Sequence, residues 1–274
     1  MPSYTNVSKP TGAGYTNVNS SGKESFNDAG VTFDQQSTFF DGVNNAVYTN
    51  ASKPTFSNSS SLLQSAKGYT GSTPLAISYT NSVTKGNLLV ACSSRVVSNF
   101  SISDSQNNTW LTALDFQTTS KTYDAGYSSA QIAIYYALAN STGAVTVTFT
   151  GGDPGADVGG SIYEYSGLDP VVMATSTSEN GATLTPTAST MGVSGKNTII
   201  AMASSENTPT SFSACGGGFT LREHNDSHID AVADRENVTD GDYAAIFNAA
   251  NNQPWIAGQV AFPVSSYTRV NKPT

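Results

Sequence analysis

Between Leu62 and Val264 the chain breaks into short apolar runs separated by Gly, Asn, Asp and Ser, and no run follows a helical period. That spacing restricts the fold more than any other feature. Each run is long enough for a strand and too short for a helix, and punctuation at such intervals is what an antiparallel sandwich needs. The expected strands are Leu75–Tyr79, Asn87–Arg95, Phe100–Asp104, Thr109–Phe116, Gln131–Ala137, Ala144–Thr150, Gly159–Tyr165, Thr183–Pro186, Asn197–Ser204, Phe219–His228, Ile229–Val238, Asp242–Asn248 and Ile256–Phe262. Val145-Thr-Val-Thr-Phe-Thr150 alternates apolar and polar positions, as a strand with one wet face does, whereas Leu88-Leu-Val-Ala-Cys92 is apolar throughout, as a strand covered on both sides is. The expectation is an all-β, antiparallel sandwich over residues 61–264, with two packed sheets and loops or arms lying over one of them.

Outside the sandwich the chain repeats itself. Tyr4-Thr-Asn-Val-Ser-Lys-Pro-Thr11 returns in part from Tyr15 to Asn19, and again as Tyr48-Thr-Asn-Ala-Ser-Lys-Pro-Thr55 and Tyr267-Thr-Arg-Val-Asn-Lys-Pro-Thr274. Tyr and Thr favour extended backbone, and Lys-Pro stops the segment by removing a donor and holding the lysine extended. The copies are too short for a core and too irregularly spaced for a solenoid. Residues 1–60 and 265–274 are therefore expected as extended arms in which Tyr4, Tyr15, Tyr48 and Tyr267 anchor on a neighbour and Pro10, Pro54 and Pro273 end each unit. Between the copies, Phe26, Phe33-Asp34 and Phe39-Phe40-Asp41-Gly42 have the look of short extended pieces with a turn at Asp41-Gly42.

Composition narrows the function. Charged residues make up 12% of the 274, net charge is −8 and the pI is near 4.6, with no cluster of Lys or Arg. Phosphate capture needs such clusters, so nucleic acid is not an expected partner. No apolar run is long enough to span a bilayer, and the amino-terminal residues have neither the basic start nor the apolar stretch of a signal peptide. Cys92 and Cys215 are too few for a disulfide framework, and Cys92 sits where a buried thiol is ordinary.

Chemistry-bearing patterns are sparse. His224 and His228 share a face of a strand but lie roughly 13 Å apart there, too far to hold one ion, so no metal or cofactor is expected. The serine nucleophile elbow is missing. Glu164, Asp169, Asp230 and Glu236 are the carboxylates that distant strands could pair for glycoside hydrolysis, although Glu164 fits better as a strand-end acid bonding backbone donors. Gly216-Gly-Gly218 lacks the Lys-Ser/Thr of a phosphate loop and fits a flexible or bulged strand entry. The Asp153–Asp157 and Asp240–Asp242 loops fit ordinary turns.

Two resemblances follow from these residues. The repeats, with Gly22-Lys-Glu24 and the Phe-Asp pairs, resemble amino-terminal segments of phage and metagenomic proteins and imply a virion or surface association. The ordered motifs Gly86-Asn-Leu-Leu-Val90, Ser103-Asp-Ser-Gln-Asn-Asn-Thr-Trp110, Ile134-Tyr-Tyr-Ala137, Val145-Thr-Val-Thr-Phe149, Glu164-Tyr-Ser-Gly-Leu-Asp169, Gly218-Phe-Thr220 with Arg222, and Trp255 before Val260-Ala-Phe262 resemble a jelly-roll module of phage tail and bacterial surface proteins. Together they imply a non-enzymatic structural protein of the virion or extracellular surface: a capsid decoration, head-fibre or tail-associated subunit, present in many copies and bound to other assembly proteins. Two alternatives are a carbohydrate-binding module with Trp110, Tyr123, Tyr127 and Trp255 as its aromatic platform, and a filament subunit.

Overall fold

The structure is a computed structural model that describes residues 59–95, 101–118, 130–151, 158–205, 212–225, 230–250 and 252–265. All regular elements among them are strands, in chain order β1 (Ser61–Thr70), β2 (Leu75–Ser78), β3 (Leu88–Arg95), β4 (Ser101–Asp104), β5 (Leu111–Thr118), β6 (Ala130–Leu138), β7 (Thr146–Thr150), β8 (Val158–Ser166), β9 (Ala174–Thr183), β10 (Met191–Val193), β11 (Asn197–Ser205), β12 (Phe212–Gly216), β13 (Thr220–Asn225), β14 (Asp230–Val238), β15 (Gly241–Tyr243), β16 (Ile246–Ala249) and β17 (Gln253–Pro263). Every ladder is antiparallel. The all-β, sandwich-like expectation holds.

There are four layers rather than two. Two five-stranded sheets, β1-β8-β3-β6-β5 and β13-β14-β11-β17-β9, face each other over a core of Leu88, Val90, Ile134, Tyr165, Ile200, Met202, Val260 and Phe262. The outer face of the first is covered by β2-β7-β4 over Leu75, Ile77, Leu89, Val147, Phe149 and Ile162. The outer face of the second is covered by the ribbons β10-β15 and β12-β16 over Met191, Ile199, Phe212, Phe247 and Trp255. Leu88–Cys92 is indeed covered on both sides, but what covers its outer side is a third sheet, where loops or arms were expected. Alternation along β7 fits: Val147 and Phe149 are fully buried while the threonines between them are not.

The layers form an internal structural repeat, a duplication of strand order. Read from its other edge, the second large sheet is β9-β17-β11-β14-β13, the order of β1-β8-β3-β6-β5 with each strand replaced by its later counterpart. Registers agree as well. Leu89 opposite Glu164 and Ala137 corresponds to Ile199 opposite Ala261 and Arg235, within strands whose flanking pairs step together. The bulge between Thr112 and Leu114 against β6 recurs between Leu221 and Glu223 against β14. Val83 bridges Gly143 just as Val193 pairs with Gly241, and both glycines have a φ of 155°. The relation across the middle is reciprocal, as in an isologous interface. Tyr136 meets Phe262 with ring centroids 5.3 Å apart, and their counterparts Asp234 and Tyr165 meet through a 2.8 Å hydrogen bond.

Several expected strands need correction. β1, β10, β12 and most of β9 fall outside the expected set, while Thr183–Pro186 holds only the last residue of β9 and a short stretch bonded to β16 through Pro186 O and Phe247 N. The run Asp242–Asn248 divides into β15 and β16, because the buried Gln259 side chain inserts there. Its amide donates to Tyr243 O at 2.8 Å and accepts from Ala245 N at 3.2 Å. Its counterpart in the first half is Ile162, opposite Ala91 as Gln259 is opposite Ala201.

Both halves point the same way. Ser94, near the end of β3, bonds Asp230 at the start of β14, while Ser60, just before β1, bonds Thr198 and Asn237 at the other end. The body therefore has a tip and a base. At the tip lie the strand ends that flank residues 96–100, 119–129, 152–157, 206–211 and 226–229. At the base, Ser60 enters and Ser265 leaves, the latter donating its N–H to Gly167 O at 2.8 Å.

Candidate functional site

One group of ionisable side chains lies on the seam between the two large sheets, and it is asymmetric. On the inner face of β6 stand Ile132, Ile134 and Tyr136; at the equivalent places β14 has Asp230, Val232 and Asp234. Two carboxylates thus face an apolar neighbour, which costs free energy unless each is partnered.

Asp234 is fully partnered. The bulge in β13 turns Arg222 inward, where its Nε donates to Asp234 Oδ1 at 2.7 Å and its Nη2 to Glu236 Oε1 at 2.7 Å. Tyr165 from the first half donates to Asp234 Oδ2 at 2.8 Å. Burial works against the Arg222 charge, but the bond to Asp234 and the charges of Asp234, Tyr165 and Glu236 together outweigh it and hold the guanidinium above its ordinary pKa. Burial, with the Asp234 charge beside it, raises the Tyr165 phenol well above its usual value. Burial also raises Glu236, with Asp234 adding to the rise and Arg222 opposing it.

Two further contacts cross the seam. Glu223 Oε1 accepts from Ser65 Oγ at 2.9 Å, with Lys67 Nζ 3.6 Å from its other oxygen. Asp230 Oδ2 accepts from Ser94 Oγ at 3.1 Å. Burial pushes the Asp230 carboxyl up from 3.8 to about 7, with the Ser94 hydroxyl, its own backbone N–H and the Lys67 charge pulling the other way.

The carboxylates that sequence singled out for glycoside chemistry do not come together. Asp230 and Glu236 are six residues apart on one strand, roughly 20 Å. Glu164 lies on the opposite side of the first large sheet, where it accepts from Thr84 N at 2.7 Å, Asn87 Nδ2 at 2.6 Å and Gln64 Nε2 at 2.6 Å. The Thr84 N–H is a backbone donor of the kind expected of it, and two side-chain amides add to it. Asp169 sits at the base, its N–H bonded to Pro263 O.

Nor are the two tryptophans of the expected platform brought together. Trp110 is half-buried on the outer core of the first half, its Nε1 donating to Asp104 Oδ2 at 2.6 Å. Trp255 is 3% exposed in the outer core of the second half, its Nε1 donating to Thr183 Oγ1 at 2.7 Å. The two are separated by both large sheets, which corrects their pairing as one platform. Tyr123 and Tyr127 lie outside the described residues, as do Tyr4, Tyr15, Tyr48, Tyr267, Pro10, Pro54, Pro273 and His228.

Other expectations on turns and thiols can be placed. Asp104 accepts the N–H of Gln106 at 2.8 Å and of Asn108 at 3.3 Å, closing the expected turn before Trp110 and Leu114. Gly217 and Gly218 form a tight turn at φ 70° and 78° between β12 and β13, where a flexible or bulged strand entry was expected, and Arg235 clamps it by donating to Gly217 O at 2.6 Å. Asp240 accepts from Gly195 N, an ordinary turn contact. Cys92 and Cys215 are free thiols in different cores, and burial raises the pKa of Cys215 to about 12. Among the described residues no group of three or more His, Cys, Asp and Glu is placed to hold a metal.

What sequence reasoning missed is the seam. Its signal was the pair Asp230 and Asp234 on one face of an otherwise apolar strand, which is legible only once that face is known to be covered. Compared with family models, with curated proteins and with solved structures, the chain finds no match.

Proposed function

We propose that this chain is a non-enzymatic structural subunit of a virion or extracellular surface assembly, a capsid decoration, head-fibre or tail-associated protein held by its Tyr-bearing flanking segments. One observation carries the reading: the chain enters at Ser60 and leaves at Ser265 from one end of a body whose seam ionisable groups have structural partners. Segments that leave together reach a common neighbour, and each repeat can add a strand to a sheet edge while its tyrosine fills a groove. The strand orders β1-β8-β3-β6 and β2-β7-β4, with the same interleaving repeated from β9 to β17, support reading each half as jelly-roll-like.

The test is a Tyr4→Ala, Tyr48→Ala, Tyr267→Ala variant of the full chain. Occupancy on the purified particle is expected to fall more than tenfold with the melting temperature of the free protein unchanged. Full occupancy of the triple variant would refute arm anchoring. A specific glycan-array signal from the intact chain would favour the carbohydrate-binding alternative instead.

A further inference from the structure

The body has two unlike ends, and the duplication repeats one apolar feature at only one of them. Leu63 directly precedes Gln64, the residue opposite Glu164, and Met173 directly precedes Ala174, the residue opposite Ala261. Glu164 and Ala261 are equivalent positions of the two halves, so Leu63 and Met173 are equivalent as well. Both are exposed, and both lie at the base. Val171, beside Met173, and Leu111, the first residue of β5, are exposed at the base too. Single exposed apolar side chains are ordinary on any protein. Here the feature recurs in both halves, at the end from which both flanking segments leave, 58 residues before Ser59 and nine after Ser265.

We infer that the base is the face by which the body seats on its neighbour, that this neighbour is a protein surface offering apolar contacts, and that the tip faces away from it. The inference rests on the proposed function and adds an orientation to it. The two flanking segments hold the base at high local concentration against whatever they grip, so weak contacts by Leu63, Leu111, Val171 and Met173 suffice to fix the angle at which the body stands. Asp169, Asp240 and Asp242 outnumber Lys85 and Lys196 at the same end, which disfavours an anionic lipid surface.

Hydroxyl-radical footprinting of the full chain, free and on the purified particle, tests this. Oxidation of Met173, Leu63 and Leu111 is expected to fall at least threefold on the particle, while Tyr69 and Leu184 at the tip keep their free-state rates. Protection of the tip with an unprotected base, or equal protection of both, overturns the orientation and leaves the assembly reading standing. A chain found only free of any particle overturns both. As a second arm, Val171→Glu with Met173→Glu should lower occupancy at least fivefold at unchanged melting temperature, whereas Leu184→Glu should not; full occupancy of the base variant overturns the inference.

Discussion

At the scale of single residues, the seam shows how one structural position can be filled by two chemistries. Where the first half has Tyr136 against Phe262, the second has Asp234 against Tyr165, with Arg222 supplied by a bulge whose counterpart holds Ala113. An apolar contact needs no further partners; a buried carboxylate needs them all. Arg222→Ala should therefore cost about 3 kcal/mol, because it strands Asp234, which is 1% exposed, beside Glu236. A triple variant, Arg222→Ala with Asp234→Tyr and Tyr165→Phe, copies the first half's solution and should recover most of that loss in urea unfolding. If it unfolds no later than Arg222→Ala alone, the two contacts are not interchangeable.

Asp230 gives the pH dependence its sign. Its carboxyl is raised from 3.8 to about 7 in the fold, so between those values the folded chain holds a proton that the unfolded chain has lost. Its contribution is thus full below about pH 4, declines as pH rises toward 7 and is flat above. Ser94, Lys67, Cys92 and Tyr163 are the groups that face or act on it from β3, β1 and β8, and none neutralises it by direct contact. Asp230→Asn should raise the urea midpoint at pH 8 and remove the decline between pH 4 and 7 relative to the parent. A parallel pair of pH profiles would show that Asp230 does not titrate as described.

At the scale of elements, turns and bulges fix the register that the two halves share. The Gly217 turn is the most demanding, since φ is 70° and an added Cβ would stand 2.5 Å from Ala244 O. Gly86 has a φ of 87° with nothing within 4 Å of such a Cβ. Gly86→Ala should then cost about 1 kcal/mol, the backbone term alone, and Gly217→Ala clearly more, which thermal unfolding will rank.

The same elements explain what sequence could disclose. Strands β3 and β11 were legible because they are buried on both faces and so carry the continuous apolar runs Leu88–Cys92 and Ile199–Ala203. β1 and β9 were not, because each is a sheet edge whose ten residues are mostly small or polar, leaving no apolar alternation to find. The duplication was hidden for a related reason. Where the first half has Leu88, Ile162 and Tyr136, the second has Thr198, Gln259 and Asp234, which keep the ladder but not the apolar pattern. Glu164 was legible as a structural acid from its strand-end context, whereas Arg222 was not, since a bulge reverses the face that simple alternation assigns it.

At the scale of the whole molecule, the central core decides whether two similar halves behave as two domains. Leu88, Val90, Ile134 and Tyr165 from the first half share one buried core with Ile200, Met202, Val260 and Phe262 from the second. A half that opened alone would expose its own inner face and strand its partner's. At about 25 cal/mol per Å² of apolar surface, several such residues outweigh the modest total stability of a typical domain. The halves should therefore unfold in one transition despite their separate outer cores. Phe149→Ala, in the outer core of the first half, removes a fully buried ring and should cost about 3–4 kcal/mol. Under native-state hydrogen exchange that loss should appear undiminished at the slowest amides of β11 and β17, on the far side of the seam. If protection falls in β3 and β7 but holds in β11 and β17, the duplication has left two independent folding units, and the seam only docks them.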